Sequence, residues 1–532
     1  MLYFALLQLN LSAGAIARNH EQIKTAVMHS AGQLGSDSQL LCIAPELAIC
    51  GAPLNTLPQM SPFLELCSKH LHALAAELSE GPALIIGCPE MSKGELLSSL
   101  FLINKGAVQR ICSRPMEDAL SYGLPRIKKA GQAASIDFCG MKLAVALGRT
   151  FSTVPDNSNL AILADCEPFE PSLWHSIENS CSEQAKSLGC PVLRANPVGG
   201  NGSWIFPGGS LAADSSGNIR LRSKDWKQDI ITTNISELTT PSTVCPASKQ
   251  ENCWGDVWQA LVLGIQDYVH KSGFERVVLG LSGGMDSSVV AALAADALGS
   301  ANVFGILMPS PWSSQGSLDD SHALATNLGI ATHTVPIKPI MTAFSEALSP
   351  LFAGTKPDTT EENLQARIRG CLLMAWSNKF RAMLLSTSNK SEAAVGYGTL
   401  YGDMAGSLAP IIDVYKTDIY KLAGWFNAHK RFDAIPRSVF DKAPSAELRP
   451  GQKDQDSLPP YDLLDACLKS IFEGSTLPEY VSCTELNESM LQRTAHLVRC
   501  SEFKRHQCTQ PLFVTARPLA LGLRPLPALT VE

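Results

Sequence analysis

Short apolar runs alternate with longer segments of helical periodicity along most of the chain. The runs at 2–9, 39–49, 83–90, 100–104, 142–147 and 160–165 predict buried β-strands. Segments between them, such as FLELCSKHLHALAAELSE at 63–80, place apolar residues three and four positions apart, which predicts amphipathic helices. We therefore expect an α/β domain over residues 1–240. A stretch rich in Thr, Ser and Pro predicts a linker at 241–252, and a second α/β domain is expected at 253–532.

The composition narrows the possible classes of function. The chain has 532 residues, of which 45% are hydrophobic and 17% are charged, and its formal net charge is −7. This balance, without any Lys- or Arg-rich run, argues against binding to nucleic acid or to a membrane surface. No uninterrupted apolar stretch approaches the ~18 residues of a membrane span. The 16 cysteines show no zinc-type spacing, so we expect reduced thiols in a cytoplasmic protein.

The second domain begins with a candidate anion site. Residues 276–298, RVVLGLSGGMDSSVVAALAADAL, predict a strand, a glycine turn and a helix N-terminus. The backbone N–H groups of such a turn and the helix dipole attract phosphate. The sequence fits neither a Walker A loop nor a GxGxxG fingerprint. An aspartate in this cradle, Asp286, repels phosphate unless a cation lies between them, which predicts Mg²⁺; a simple helix cap is the alternative. Further strands are predicted at 303–309 and 333–337.

Residues 282–287, SGGMDS, resemble the signature of the ATP pyrophosphatases, which split ATP into AMP and pyrophosphate to activate a second substrate. From this loop alone, GMP synthetase, asparagine synthetase and tRNA-thiolating enzymes remain possible. Three later blocks, at 360–380, 386–417 and 444–465, together with SEFKRHQ at 501–507, resemble NAD⁺ synthetase. This resemblance implies a doubly wound parallel sheet of the adenine nucleotide α-hydrolase type. It also implies ATP-dependent amidation of deamido-NAD⁺ through an adenylate.

The same resemblance implies roles for individual residues. The residues implied to bind ATP are Gly280, Leu281, Ser282, Gly283, Gly284, Met285, Asp286, Ser287, Ser288, Met308, Thr387 and Lys416. Asp286 and Glu392 are the implied ligands of Mg²⁺. Asn363, Arg367 and Lys504 are implied to bind deamido-NAD⁺, with Arg369 an equal alternative to Arg367. Ser388 stands where the family usually has glycine, which would crowd the site if it requires positive φ. A homodimer or a larger homo-oligomer is also implied.

Residues 1–235 resemble the nitrilase-like amidase domain that precedes the synthetase in most long NAD⁺ synthetases. The matching segments are FALLQLNLSAGAI at 4–16, APELAICGAP at 44–53 and ANPVGGNGSWIFPGGSLAAD at 195–214. The resemblance implies an α-β-β-α sandwich, which in the family hydrolyses glutamine and delivers ammonia to the synthetase. The family's amidase domains act through a cysteine nucleophile, a glutamate that shuttles protons and a lysine that stabilises the oxyanion.

Only one member of this trio is evident in the sequence. Glu46 matches the glutamate, whereas the register of KLAVALGRTF at 142–151 places Gly148 at the cysteine position. In MEDALSY at 116–122, Tyr122 matches the family but Met116 stands in place of the lysine. Arg149, beside Gly148, is a candidate to close the emptied pocket. The other cysteines nearby in sequence, Cys112, Cys139 and Cys166, do not end a strand in the right context.

These observations predict an NAD⁺ synthetase that uses free ammonia, with a first half that keeps the amidase fold and retains Glu46 as a relic. A separate ammonia-supplying protein is then a possible partner. One alternative keeps glutamine as the donor, through an unrecognised site or a partner glutaminase. Another is a non-catalytic regulatory paralogue, against which the intact Asp286, Glu392, Thr387 and Lys416 argue.

Overall fold

The computed structural model describes residues 1–35, 38–60, 62–116, 131–155, 157–239, 253–474, 488–515 and 517–519. These residues belong to two compact units, Met1–Glu251 and Asn252–Glu532. The predicted linker at 241–252 lies outside the described residues. Within the described part of the chain, no helix combines the length and the apolar character that crossing a lipid bilayer requires.

The first unit contains two six-stranded mixed sheets. One has the order β16-β1-β2-β3-β4-β5 and the other has the order β15-β14-β11-β10-β8-β7. The strands of the first sheet are β1 Leu2–Gln8, β2 Gln39–Ile43, β3 Ala83–Ser92, β4 Glu95–Asn104, β5 Ala107–Pro115 and β16 Asp229–Asn234. Those of the second are β7 Ala134–Phe138, β8 Met141–Leu147, β10 Leu160–Ala164, β11 Val192–Ala195, β14 Leu211–Ala213 and β15 Ile219–Arg222. Two strand pairs stand apart: β6 Gly131–Gln132 with β9 Phe151–Thr153, and β12 Val198–Asn201 with β13 Trp204–Pro207.

The two sheets face each other across one apolar core. Phe4 and Leu41 of the first sheet belong to the same buried cluster as Val145 and Ile162 of the second. Helices Ile16–Gly32 and Phe63–Glu77 contact the first sheet, and helix Pro171–Leu188 contacts the second. A short helix, Ile235–Thr239, follows β16. The layers are therefore helix, sheet, sheet, helix, which confirms the predicted α-β-β-α sandwich.

The second unit is built on a parallel sheet of order β19-β18-β17-β20. Its strands are β17 Arg276–Gly280, β18 Val303–Leu307, β19 Ala331–Thr334 and β20 Ala382–Leu384, and a small pair joins β21 Leu408–Ala409 to β22 Gln510–Pro511. The helices are Cys253–Lys271, Met285–Leu298, Gln315–Leu328, Lys338–Leu348, Thr359–Phe380, Lys390–Val395, Lys416–Lys430, Arg437–Asp441, Tyr461–Glu473, Glu488–Cys500 and Glu502–Arg505. Short 3₁₀ turns occur at Leu57–Gln59, Ser300–Asn302 and Asp454–Asp456. The predicted α/β class with a parallel sheet is confirmed.

One predicted strand is shorter than the apolar run suggests. The run 39–49 is a strand only to Ile43, after which the chain turns and Leu47 adopts φ of 57°. Residues 44–50 nevertheless remain buried, because this turn packs against the backbone of β3. The turn places Glu46 beyond the carboxyl end of β2.

Candidate active site

A cavity of about 290 Å³ lies at the carboxyl ends of the parallel strands in the second unit. It is lined by residues that follow β17, β18 and β20, and by parts of helices Gln315–Leu328 and Thr359–Phe380. The carboxyl edge of an open parallel sheet is the usual ligand site of such folds, because loops and helix N-termini converge there. The cavity therefore lies where the glycine loop predicts it.

The glycine loop forms one wall of this cavity. Leu281 N–H donates to the Ile306 carbonyl (3.0 Å), which extends the sheet by one residue before the chain turns. Gly283 has φ of +71°, and a Cβ there would overlap the backbone of Ser317, so a glycine is required. Gly284 caps helix Met285–Leu298. The loop that leads into the first amides of this helix therefore requires glycine at position 283.

Two serines of this loop differ in placement. The Ser287 hydroxyl lies 3.0 Å from the Ser282 hydroxyl at the cavity wall. Ser288, predicted with the ATP set, is buried and donates to the Gly284 carbonyl (2.8 Å) instead of lining the cavity. The remaining predicted ATP residues line the cavity, including Met308 and Thr387.

Two carboxylates and one ammonium meet beside the loop. Lys416 Nζ contacts Asp286 Oδ2 and lies 3.3 Å from Glu392 Oε1. Asn389 donates to Asp286 Oδ1 (3.1 Å) and caps helix Lys390–Val395 through the Glu392 amide (2.9 Å). Burial raises the pKa of Glu392 to about 8, although Lys416 opposes the rise. Burial works against the charge of Lys416, but Asp286 and Glu392 raise its pKa above the ordinary value.

The predicted dinucleotide residues gather around another segment, Gly396 to Leu400. The Thr399 hydroxyl donates to Asn363 Oδ1 (2.8 Å), and Arg367 Nε donates to the Leu400 carbonyl (3.2 Å). Lys504 Nζ donates to the carbonyls of Gly396 and Gly398, each at 2.7 Å. Burial lowers the pKa of Lys504, and the charge of nearby Arg367 adds to this effect. These three side chains thus form one group.

Arg369 takes a different place. Its Nε donates to the carbonyl of Met308 (3.1 Å), and its side chain lines the glycine-loop cavity. Burial lowers the pKa of Arg369 from its ordinary value. Arg367 and Arg369, which the sequence leaves as equal alternatives, therefore lie in different surroundings. Ser388 is not among the residues with positive φ, so serine fits where the family has glycine.

Lys442 and Glu447 are two of several cavity-lining residues to which the sequence assigns no role. Lys442 Nζ donates to the Ser317 hydroxyl (2.8 Å) and lies 3.0 Å from Asp320 Oδ2. Glu447 accepts from the hydroxyls of Ser314 (2.8 Å) and Ser317 (2.7 Å). Both residues line the cavity. Glu447 lies within the block at 444–465, to which the resemblance assigns no individual residue, and Lys442 lies two residues before it. Nearness to this block was the available signal.

In the first unit, Glu46 is fully buried and paired. Its Oε1 accepts from the Ser98 hydroxyl (2.6 Å) and from Arg114 Nε (3.1 Å), and Arg114 Nη2 contacts Oε2. Burial raises the pKa of Glu46, and Arg114 and Ser98 oppose that rise. The Arg114 side chain is itself only 14% exposed. Glu46 therefore has a basic partner, Arg114, to which the sequence pattern gives no clue.

Met116, assigned by the sequence to the lysine position, lies two residues beyond Arg114. Residues two apart along an extended chain share a face, so these two positions are easily exchanged in a sequence register. Met116 is buried, and its amide donates to the Leu96 carbonyl (3.0 Å). Tyr122, the other anchor of that register, lies outside the described residues. The cation that accompanies Glu46 is Arg114, to which the sequence assigns no role.

Gly148 follows β8, as the sequence predicts. Its amide donates to the Ala164 carbonyl (2.9 Å), and its φ is +92°. A Cβ at this position would lie 2.7 Å from Arg114 Nη1. The cation next to Gly148 and Glu46 is thus Arg114. Arg149, the candidate from sequence, instead opposes the rise that burial causes in the pKa of Glu167.

Comparison with known proteins decides the family. The family model described as NAD synthase matches residues 257–508. The chain is 40% identical to the glutamine-dependent NAD(+) synthetase of Synechocystis sp., over 98% of both chains. It is 36% identical to the glutamine-dependent NAD(+) synthetase of Rhodobacter capsulatus, over 98% of this chain and 97% of that one.

The chain belongs to the long, two-domain NAD⁺ synthetase family. NAD⁺ synthetases are ligases that form a carbon–nitrogen bond. A solved structure of the glutamine-dependent NAD⁺ synthetase from Acinetobacter baumannii with adenosine diphosphate is 30% identical, with a TM-score of 0.73 over 98% of each chain. One from Cytophaga hutchinsonii, at 18% identity, has a TM-score of 0.81 over 100% of this chain and 97% of that one, and it shows the shared fold.

Membership raises the question of a nucleophile, since both curated relatives are named glutamine-dependent. Of the three cysteines considered from sequence, Cys139 is exposed and precedes β8, about 20 Å from the strand's far end. Burial raises the pKa of Cys112 to about 12 and that of Cys166 well above its ordinary value, and Glu46 adds to both. A thiol is nucleophilic as thiolate, so neither environment activates it.

The space around Glu46 is also small. Glu46 and Cys166 line a cavity of about 10 Å³, which holds at most one water molecule. An amide side chain does not fit into such a volume. Within the described residues of the first unit, position 148 has no side chain and Glu46 has no open pocket. Neither position therefore supports hydrolysis of glutamine.

Proposed function

We propose that the chain amidates deamido-NAD⁺ to NAD⁺ at the expense of ATP and that ammonia is the nitrogen donor. The observation that carries the synthetase activity is the convergence of Asp286, Glu392 and Lys416 on the glycine loop at the carboxyl edge of a parallel sheet. The observation that favours ammonia is the glycine at 148 beside a closed Glu46 pocket.

In this proposal the first step activates the nicotinate carboxylate of deamido-NAD⁺. Its oxygen attacks the α-phosphorus of ATP, the bond to the bridging oxygen breaks, and pyrophosphate leaves. Negative charge grows on the leaving group, where the loop amides, the Ser282 and Ser287 hydroxyls and Lys416 offset it. Positioning and charge stabilisation carry this step, and no protein nucleophile is needed.

The second step forms the amide. Ammonia attacks the carbonyl carbon of the adenylate, the bond to AMP breaks, and one proton is lost from nitrogen. The products are NAD⁺, AMP and pyrophosphate. Met308 and Arg369 line the cavity on the nucleotide side, whereas Asn363, Arg367 and Lys504 are proposed to hold the dinucleotide.

The donor set fits Mg²⁺. Asp286 and Glu392 bring two hard carboxylates to one point, and the single charge of Lys416 does not neutralise both. Burial is the main cause of the rise in the pKa of Glu392; Lys416 opposes the rise and Asp286 adds to it. A further cation beside the two carboxylates would therefore favour their charged forms. Bound Mg²⁺ would supply that charge to the phosphates, with Asp286 and Glu392 as its protein ligands.

Glutamine as donor is the second candidate function, and the comparisons favour it. Relatives at 40% and 36% identity, matched over nearly their whole length, are named glutamine-dependent. Because Gly148 has no nucleophilic atom, such activity requires an unrecognised site or a separate glutaminase. In the primary proposal the donor is free ammonia, a separate ammonia-supplying protein is a possible partner, and a homo-oligomer is expected.

The donor is tested with the purified full-length chain, ATP, Mg²⁺ and deamido-NAD⁺. NAD⁺ formation is measured with ammonium and, separately, with ammonia-free glutamine. We expect turnover with ammonium and none with glutamine, because Gly148 cannot form a thioester. Turnover with glutamine alone would refute ammonia as the sole donor, and absence of turnover with both would refute the synthetase activity.

The two arginines of helix Thr359–Phe380 provide a separate prediction. Arg367→Ala should raise the KM for deamido-NAD⁺ by about 10-fold, and Arg369→Ala should raise the KM for ATP by a similar factor, since a lost hydrogen bond to a charged group costs about 1.5 kcal/mol. The reason is their placement, with Arg367 beside Lys504 and Arg369 in the cavity. Steady-state kinetics with each substrate varied checks this. A reversed pattern would exchange the two roles.

A further inference from the structure

The first unit holds a guanidinium where an amidase needs a thiol and a free carboxylate. Arg114 Nε and Nη2 contact the two oxygens of Glu46, and the Ser98 hydroxyl also donates a hydrogen bond to Oε1. The remaining nitrogen, Nη1, lies 2.7 Å from the point where a Cβ on residue 148 would stand. One side chain thus reaches both former catalytic positions.

We propose that Arg114 is a determinant of nitrogen-donor specificity: it locks the former amidase pocket, binding Glu46 and filling the space of the missing thiol. This inference deepens the proposed use of ammonia and rests on it for its consequence in catalysis. The lock itself is a statement about space and charge in the first unit, and it can be tested apart from NAD⁺ synthesis.

The ion pair removes the chemistry that Glu46 could perform. A glutamate that shuttles protons must exchange a proton with a substrate or a nucleophile within hydrogen-bond reach. Here both oxygens are occupied by Arg114, with Ser98 also on Oε1, and a guanidinium does not release its proton in proteins. Glu46 therefore serves as the counter-ion of Arg114.

Gly148 and Arg114 are also coupled by space. A Cβ at 2.7 Å from Nη1 is closer than van der Waals contact, so any larger residue at 148 must push the guanidinium away from Glu46. The φ of +92° adds backbone strain for a residue other than glycine. A lysine at 114 would remove this conflict, because its single terminal nitrogen can pair with Glu46 without a second nitrogen directed at 148. Recovery of a reactive thiol therefore requires two changes.

The test uses the full chain with G148C, R114K and the double variant G148C/R114K. Alkylation of the thiol introduced at position 148 by iodoacetamide is followed by mass spectrometry of the peptide that contains it, which separates it from the native cysteines. We expect the thiol of the double variant to react about 10-fold faster than that of G148C. Both variants keep a cation that favours the thiolate, but only in G148C does the guanidinium of Arg114 crowd the new side chain. Equal alkylation rates in the two variants would overturn the lock.

A second measurement does not depend on thiol chemistry. Gly148→Ala adds only a Cβ, and its effect on thermal stability is compared in the Arg114 and R114K backgrounds. A smaller loss of Tm in the R114K background supports the coupling, and equal losses contradict it. Glutamate release from glutamine is assayed in parallel. Release by the unmodified chain would refute ammonia as the sole donor, whereas release by G148C alone would refute the lock.

Discussion

Lys416→Met is expected to lower kcat for ammonium-dependent NAD⁺ formation by about 10³-fold, the loss typical of removing a group that stabilises charge in a transition state. Lys416 is 4% exposed and is the cation that contacts both Asp286 and Glu392. Without it, the site of the two partly buried carboxylates loses one positive charge, so the growing charge on pyrophosphate is stabilised less. The measurement is steady-state NAD⁺ formation at saturating ATP and ammonium.

Lys421→Met is the matched control, since Lys421 lies on the same helix, Lys416–Lys430. Its side chain is 56% exposed and pairs with Asp418 (2.9 Å) away from the cavity. Its replacement removes the same charge from the same helix and should change kcat less than about 2-fold, because exposed ion pairs contribute little. Circular dichroism checks that both variants are folded. A loss below about 10-fold in folded Lys416→Met would contradict the proposed role of Lys416.

The sequence predicts the cavity of the second unit well for a physical reason. The glycine loop, its strand and its helix are contiguous in sequence, so local rules place Ser282, Gly283 and Asp286 together. The positive φ of Gly283 and the close approach of Ser317 explain why this turn needs a glycine. Residues brought in by other elements, such as Lys442 and Glu447, were missed because a lone lysine or glutamate has no local signature.

The first unit shows the opposite situation. Gly148 could be placed because a strand end is a local feature, but the partner of Glu46 depends on the register of β5 against β4. That register has an irregularity between Leu100 and Phe101. Arg114 and Met116 are two residues apart, and residues two apart in a strand point to the same side, so the alternation of faces does not distinguish them. The sequence register places Met116 at the lysine position, whereas the side chain that reaches Glu46 belongs to Arg114. Pairing across strands was the missing information.

Arg114→Ala is expected to destabilise the first unit by about 3–5 kcal/mol at neutral pH, the loss typical of removing one partner from a buried ion pair. Glu46 has a completely buried side chain, and after the change the Ser98 hydroxyl is the only hydrogen-bond partner left to it among the described residues. The free energy of unfolding of this unit is measured by urea titration, with unfolding monitored through hydrogen exchange of the amides in β4 and β5.

The matched control is Arg110→Ala, because strands β3, β4 and β5 also hold a more exposed set of the same three residue types. Arg110 Nη1 lies 3.1 Å from Glu90 Oε1, which also accepts from the Ser99 hydroxyl (2.6 Å). The Arg110 and Glu90 side chains are 50% and 27% exposed, so this pair should contribute less than about 1 kcal/mol. Equal losses for the two variants would show that burial of Glu46 is not the cause.

The effect of Arg114→Ala should also depend on pH, in a direction that the pKa of Glu46 fixes. Burial raises this pKa and Arg114 opposes the rise, so removing Arg114 raises the pKa further. A carboxyl with a higher pKa folded than unfolded contributes its stability below the unfolded pKa of about 4.3 and loses it as pH rises through the folded pKa. The stability difference between the variant and the unmodified chain should therefore be smallest just above the unfolded pKa and grow as the pH rises from there. A difference that shrinks with rising pH would mean that Glu46 does not hold the charge that Arg114 neutralises, and the closed pocket would need another explanation.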